Sequence, residues 1–186
     1  ETGVGVFLVS CAADRLPTAM EITSATANGS DGDIETQVFN GVNRYRASQS
    51  KGVLKRHPGL DQLARHHSQR MLEDAKLSHR GYNNRVRLGE YHLKVEDLRE
   101  NVFYARGFEE GKLPEMTVQG WIDSPGHRIN LDANTKYCGV GVAKGEDGRY
   151  YATQLSASPL DVTSTYHEGM PRSYSNIYGV GAGPDW

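Results

Sequence analysis

The sequence predicts an α+β domain in which helices cover both faces of a small sheet. Three stretches with a helical hydrophobic period precede one β-hairpin pattern, and there is little alternation of helices with parallel strands. The chain has 186 residues, and globular domains cluster near ~100–150 residues. We therefore expect one layered domain with tails.

The first two helices are indicated by apolar residues spaced three and four apart. The first follows Asp33, a favourable N-cap, and should end near Gly52; its inward residues are Ile34, Val38, Phe39, Val42 and Tyr45. The second follows His57-Pro58-Gly59 and should run to about Lys76, with Leu60, Leu63, Ala64, His67 and Met71 on one face. His66 and His67 project about 100° apart on such a helix, so they cannot chelate one ion. We expect one surface and one partly buried histidine.

The second half of the chain combines a long connection, a third helix and a hairpin. Residues 77–113 are predicted to be a connection with one short helix around Val95 to Leu98. Long ordered connections in compact domains are usually functional. The third helix should start at Pro114 and break at Ser124-Pro125. Residues 137–143 and 149–155 then flank a five-residue turn and predict an antiparallel hairpin.

The two ends of the chain are predicted to lie outside the domain. We expect an N-terminal extension over residues 1–33, a domain over 34–157, and a C-terminal tail over 158–186 that packs on it. Residues 1–3 suggest a processed or engineered end. Residues 4–11 indicate a buried strand; the alternative is the end of a signal segment whose Leu-Val-Ser-Cys resembles a bacterial lipobox, with anchoring through Cys11.

Charge and hydropathy exclude two classes of function. The formal net charge is -2, from 21 basic and 23 acidic residues, which offers no broad basic surface for nucleic acid. No run approaches the ~18 apolar residues that span a bilayer, so we expect a soluble chain without a transmembrane segment. We also expect a monomer.

One feature favours export, and a disulfide would follow from it. Cys11 and Cys138 could form a disulfide in an oxidising compartment; the alternative is two unrelated buried thiols. Asn28-Gly29-Ser30 is an N-glycosylation acceptor in a stretch of small polar residues. Both agree with a secreted glycoprotein.

Six short blocks then occur in order along most of the chain. They are Asn43-x-x-Arg46, Leu60-x-x-Leu63-Ala64, Leu77-Ser78-His79, Glu100-Asn101, Trp121-x-x-Ser124-Pro125-Gly126-His127-Arg128-x-Asn130 and Gly139-Val140-Gly141-Val142. In this order and spacing they resemble the CAP superfamily, which comprises cysteine-rich secretory proteins, antigen 5 and pathogenesis-related 1 proteins and shares the SCP domain. The Ser-Pro-Gly-His-Arg form is similar to the bacterial branch. The resemblance covers roughly residues 36–157 and implies secretion and a three-layer α-β-α sandwich with a small, mainly antiparallel central sheet.

The resemblance also implies a cleft with two histidines and one or two acidic residues. His79 matches the first cleft histidine, Glu100 the glutamate of the Glu-Asn block, and His127 the second histidine. The fourth family position, a glutamate three residues after the tryptophan, falls on Ser124 here. One anionic ligand or base is therefore missing, unless Asp123 or a water substitutes for it.

Two imidazoles and one carboxylate would suit Zn²⁺ or another divalent cation, with a position left for water. The sequence therefore predicts a metal site at His79, Glu100 and His127. Each residue also has a structural alternative. His79 could cap a helix end, Glu100 could be solvated or paired with Arg99, and His127 could pack on Trp121.

Two functions remain open at this point. The first is a secreted binding or effector module that engages a lipid, glycan or protein partner through or around the cleft. The second is a metal-dependent or serine-type hydrolase in which Ser78 or Ser124, or a metal-bound water, attacks a peptide or ester with Glu100 as general base. The sequence lacks a His-Glu-x-x-His helix and a Gly-x-Ser-x-Gly elbow, which favours the binding module.

Overall fold

The computed structural model describes residues 33–161. In this part of the chain the α-helices are α1 (Ile34–Ser48), α2 (Pro58–Asp74), α3 (Tyr82–Leu88), α4 (Leu113–Asp123) and α5 (Pro125–Asp132). A π-helical turn (Gly89–Leu93) follows α3, and a 3-10 turn (Glu110–Lys112) precedes α4. The strands are β1 (Lys55–Arg56), β2 (Val95–Arg106), β3 (Tyr137–Lys144) and β4 (Arg149–Pro159).

The four strands form one central sheet in the order β1-β3-β4-β2. β1 runs parallel to β3, whereas β3 with β4 and β4 with β2 are antiparallel. The predicted hairpin is therefore confirmed, and the sheet is small and mainly antiparallel.

Alternate residues of β4 build a separate core on each face of the sheet. Tyr150 and Ala152 pack with α1, α4 and α5, where Trp121 is fully buried. Leu155 and Ala157 pack on the other face with Leu60, Leu63 and Ala64 of α2 and with Val86 of α3. The predicted α+β fold with three α-β-α layers is confirmed.

Helix α2 lies directly on the backbone of β3, which explains two of the glycines in the Gly-Val-Gly-Val block. A Cβ atom on Gly139 would lie 2.2 Å from the carbonyl carbon of Leu60, and one on Gly141 only 2.0 Å from the backbone nitrogen of Arg65. Both distances are far below van der Waals contact, so only glycine permits this close approach.

Side chains occupy the hydrogen-bonding groups along both long edges of the sheet. Beyond its short pairing with β1, β3 donates the amides of Val140 and Val142 to the carboxylates of Asp61 (2.8 Å) and Glu35 (3.2 Å). On the opposite edge, β2 carbonyls accept bonds from three side chains: Tyr82 to Leu98, Asn130 to Glu100 (3.0 Å) and Trp121 to Val102 (3.0 Å). Exposed strand edges are prone to pair with other chains, and these contacts block that pairing.

The structure corrects the prediction for residues 77–113. The expected short helix around Val95 to Leu98 is wrong, because β2 starts at Val95 and α3 lies upstream of it. A β-bulge between Glu96 and Arg99, with Asp97 in the left-handed region at φ 51°, hides the strand because it breaks the alternation of apolar and polar residues.

The helix ends differ in two places from the prediction. The first helix ends at Ser48 rather than near Gly52. Pro125, which was predicted only to break a helix, is also the first residue of α5. Proline fits this position because the first turn of a helix needs no amide hydrogen. The predicted cap of α1 is confirmed, because the Asp33 carboxylate accepts a bond from the Thr36 amide (2.6 Å).

Several predictions concern residues outside the described part of the chain. These are the strand or signal segment at residues 4–11, the glycosylation acceptor Asn28, the C-terminal tail beyond residue 161, and Cys11. Cys138 is fully buried on β3 and forms no disulfide within residues 33–161, and burial raises the pKa of its thiol to about 12. The disulfide with Cys11 stays a prediction.

Candidate functional site

A cleft with a volume of about 810 Å³ opens beside the start of α3, the bulge of β2 and the first turn of α5. Most of its lining residues are polar or charged, and Ile129 adds an exposed apolar side chain. The lining residues are His79, Gly81, Tyr82, Asn83, Asn84, Arg87, Arg99, Glu100, Gly126, Ile129 and Asn130. Clefts of this size commonly hold small ligands.

His79 and Glu100 meet in this cleft, as the sequence predicts. The Nδ1 atom of His79 lies 2.8 Å from Oε1 of Glu100. An ionised carboxylate can only accept hydrogen bonds, so Nδ1–H is the donor, and in the neutral ring the lone pair is on Nε2. The His79 side chain is half exposed, whereas that of Glu100 is 1 % exposed.

Arg85 of α3 balances the charge of this buried carboxylate. Its Nε donates to Oε2 of Glu100 (2.6 Å) and its Nη2 to Oε1 (2.7 Å), which is a bidentate pair. Arg85 also donates to the carbonyls of Arg80 (3.0 Å) and His79 (3.4 Å). One guanidinium therefore ties the loop that carries His79 to the strand that carries Glu100.

The surroundings hold Glu100 in its ionised form. Burial alone would raise its pKa, but the hydrogen bond from His79 and the adjacent Arg85 outweigh burial, and the pKa is lowered from its ordinary value. The alternative pairing of Glu100 with Arg99 does not occur, since Arg99 binds Asp97 instead (3.0 Å).

His127 lies in the first turn of α5 with its ring beside that of His79. The two ring centroids are 6.5 Å apart and the ring planes are inclined by 50°. Burial, and then the positive charge that His79 can carry, lower the pKa of His127. A neutral imidazole at pH 7 is the form that binds metals.

Two asparagines link α5 to β2 and so hold His127 near Glu100. Asn101 donates to the backbone carbonyl of His127 (3.1 Å). Asn130 donates to the carbonyls of Glu100 (3.0 Å) and of the Asn101 side chain (2.9 Å). Asn101 directly follows Glu100, and Asn130 lies three residues after His127. These two asparagines thus fix the position of His127 relative to Glu100.

The residues at the fourth family position do not supply a second acid. Ser124 caps the start of α5 without a side-chain hydrogen bond to that helix, and Asp123 is exposed and accepts a bond from Gln119 (2.7 Å). Neither residue lines the cleft. The group that faces Glu100 is instead a cation, Arg85.

His67 also lies near Glu100, at 3.8 Å. It is 3 % exposed, so it is more deeply buried than the sequence indicates, and its Nε2 lies 2.7 Å from the carbonyl of Ser78. Burial lowers its pKa to about 4, which keeps it neutral at pH 7. His66, its neighbour on α2, is more exposed.

Two histidine nitrogens at this site are candidate metal donors. His79 Nε2 makes no hydrogen bond within residues 33–161, and the His127 ring is neutral, whereas both oxygens of Glu100 are bound by Arg85 and His79. No group of three His, Cys, Asp or Glu side chains in this range is arranged to hold an ion.

The family of the chain follows from comparison with known proteins. The model of the CAP or cysteine-rich secretory protein family matches residues 39–156. The chain belongs to the CAP family. The resemblance inferred from the six sequence blocks is therefore confirmed. No curated protein matches the chain in sequence.

Solved CAP structures show the same fold at low identity. An outer surface protein from Borrelia burgdorferi is 19 % identical with a TM-score of 0.58, and the match covers 70 % of this chain and 96 % of that one. An extracellular protein from Bacillus anthracis with an SCP domain is 23 % identical with a TM-score of 0.52, and the match covers 67 % of this chain and 40 % of that one. The venom allergen-like protein 4 of Schistosoma mansoni is 12 % identical with a TM-score of 0.52, with 70 % and 95 % covered.

CAP relatives thus include proteins described as extracellular or on an outer surface. None of the helices within residues 33–161 is long and apolar enough to cross a membrane.

The sequence identified three residues of this site but missed Arg85. One signal could have found it. A buried glutamate needs a cationic partner, and Arg85 is one of four arginines between His79 and Glu100.

Proposed function

We propose that this CAP domain is a secreted binding or effector module whose cleft holds a divalent cation of the zinc type through His79 and His127. The observation that supports the proposal is the pair of imidazole rings, whose centroids are 6.5 Å apart. His79 lines the large cleft, and His127 lies next to His79 but is not itself a lining residue. Nitrogen ligands of this kind suit zinc and similar ions.

In this proposal Glu100 orients His79 instead of binding the ion. Its bond to Nδ1 leaves Nε2 as the free nitrogen of His79, which is the usual arrangement of a carboxylate behind a metal-binding histidine. Arg85 holds the carboxylate in place and keeps it ionised. The bound ion would supply a positive centre for oxygen or nitrogen donors of a ligand.

The partner of the module is a lipid, a glycan or a protein. The cleft supports ligand binding because amide, guanidinium and phenol groups surround one exposed isoleucine, so polar contacts and an apolar contact are both available. The hydrolase alternative gains no support from the geometry. Glu100 is buried and paired with Arg85, and its pKa is lowered, so its carboxylate is a weak general base.

Calorimetric titration with zinc tests the metal site. We expect wild-type binding that is lost in His79→Ala and in His127→Ala and retained in His92→Ala, which changes an exposed histidine outside the cleft. Glu100→Gln should weaken binding about 10- to 100-fold, the usual effect of losing a group that orients a metal ligand. Binding should also weaken near pH 5, where histidines become protonated. Wild-type affinity in both histidine variants would contradict the proposal.

A further inference from the structure

Two arginines line the large cleft, and one of them has no partner within residues 33–161. Arg99 forms an ion pair with Asp97 at 3.0 Å. Arg87 lies in the last turn of α3, its side chain is exposed, and it forms neither an ion pair nor a hydrogen bond in this part of the chain. A guanidinium carries five N–H donors. Arg87 can therefore offer all of its donors to a ligand in the cleft.

The described wall of the cleft contains no accessible carboxylate that would compete for Arg87. Glu100 is the one acidic residue among the lining residues in this range, and its side chain is only 1 % exposed. Both of its oxygens accept hydrogen bonds from Arg85, so this buried pair is balanced in charge. With the histidines left aside, the net charge of the wall is that of Arg87. Such a wall attracts anionic ligands and disfavours cationic ones.

Neutral groups on the same wall indicate what else the ligand contains. The side-chain amides of Asn83 and Asn84 are exposed and make no hydrogen bond within residues 33–161, so each can donate to a ligand and accept from it. Ile129 is 59 % exposed and offers an apolar surface. The volume of about 810 Å³ lies within the range of pockets that hold small organic ligands. An amphipathic ligand can therefore use the guanidinium, the amides and the isoleucine together.

We propose that the large cleft selects small ligands in which a free carboxylate lies next to an apolar group, and that Arg87 holds the carboxylate. A guanidinium matches a carboxylate through two parallel charge-assisted hydrogen bonds. One unpaired arginine balances one carboxylate, whereas a doubly charged anion would need a further cation. The inference rests on the proposed binding role of this cleft, but it does not depend on a bound metal.

A titration followed by two-dimensional NMR tests the inference on the metal-free protein near pH 7 at constant ionic strength. One probe is N-acetyl-L-leucine, which has a free carboxylate. The other is N-acetyl-L-leucine amide, which has the same apolar side chain but no charge. We expect the acid to shift the backbone amide signals of Gly81 and Gly126, which line the cleft. The acid should bind about tenfold more tightly than the amide, the size expected for a charge-assisted hydrogen bond.

Three variants assign the preference for the acid to Arg87. Arg87→Gln should bind the acid no more tightly than the amide, and the fold should persist because this exposed side chain has no partner within residues 33–161. Arg44→Gln changes an exposed arginine of α1 that also has no partner in this range, and it should keep the wild-type preference. Ile129→Ala should weaken the binding of both probes by the same factor, since both present the same apolar group.

Four results would overturn the inference. They are the absence of binding of either probe, equal affinities of acid and amide in wild type, an unchanged preference in Arg87→Gln, and an equal loss of preference in Arg44→Gln. Equal affinities of the two probes would reject the role of Arg87 while leaving the cleft as a binding site. The zinc titrations of the histidine variants are separate measurements, so a failure of the metal proposal is seen independently of this result.

Discussion

Replacing Arg85 with methionine tests whether the buried ion pair with Glu100 holds the site together. The substitution keeps a long apolar side chain but leaves the Glu100 carboxylate, 1 % exposed, with His79 as its remaining close donor. Removing one partner of a buried pair costs about 3–5 kcal/mol of unfolding free energy. This is a large share of the roughly 5–15 kcal/mol that stabilises a typical domain.

A double-mutant cycle separates the pair from other effects of the substitution. Glu100→Gln alone should cost about 1.5–3 kcal/mol, since it weakens charge-assisted bonds but leaves Arg85 bonded to two carbonyls. The loss of unfolding free energy in the double variant should be about 1–3 kcal/mol smaller than the sum of the two single losses. Urea unfolding followed by the fluorescence of the buried Trp121 measures each value. Arg87→Met, an exposed position two residues away, should change stability by less than about 0.5 kcal/mol.

The pH dependence gives a second readout of the same pair. In wild type the lowered pKa of Glu100 adds stability that is present above its unfolded pKa and is lost as pH falls through the folded value. Without Arg85, burial should raise the folded pKa above the unfolded one, so protonation relieves the penalty. The stability gap between wild type and Arg85→Met should therefore narrow as pH falls from 6 to 4. Additive losses in the cycle, or a gap that widens on acidification, would refute this account of the site.

Three further outcomes are expected. Gly141→Ala should lower the unfolding free energy by about 3 kcal/mol or more, since its Cβ would meet backbone atoms that cannot rotate away, whereas Gly111→Ala, which has open space, should be neutral or slightly stabilising in the same urea assay. His67 has a folded pKa of about 4 against an ordinary 6.5, so the unfolded chain binds more protons between these values. The contribution of His67 to the unfolding free energy should therefore fall by roughly 3 kcal/mol from pH 6.5 to 4, and the total loss over this range should be smaller in His67→Gln than in wild type. Asn130→Ala should cost about 1–3 kcal/mol in thermal unfolding because it leaves a buried strand carbonyl unpaired, while Asn83→Ala on the exposed wall of the cleft should have no effect.

The sequence was sufficient for the layers of the fold because its helices and hairpin have clear periods. Apolar residues of α1 and α2 recur at helical spacing, and the strands β3 and β4 flank a glycine-rich turn. β2 was missed since the bulge at Asp97 interrupts its alternation. A hydrophobic period can be recognised in the sequence only where the backbone of the element is regular.

The site was predictable to the extent that it lies in short sequence blocks. His79, Glu100 and His127 each belong to such a block, and the structure brings them together. Arg85 lies in a segment without a helical period, and its role depends on the burial of Glu100, which is a property of the folded chain. Spacing along the sequence alone does not show which charged residues form an ion pair in the folded chain.

The side chains along the two sheet edges also determine how copies of the protein can meet. A second molecule could extend the sheet at residues 98–102 or 140–142 only if it first displaced Tyr82, Trp121 and Asn130, or Asp61 and Glu35. Sheet extension at high local concentration therefore has to break existing hydrogen bonds before it forms new ones. Within residues 33–161, self-association through the helical faces or the cleft rim would leave these edge hydrogen bonds intact.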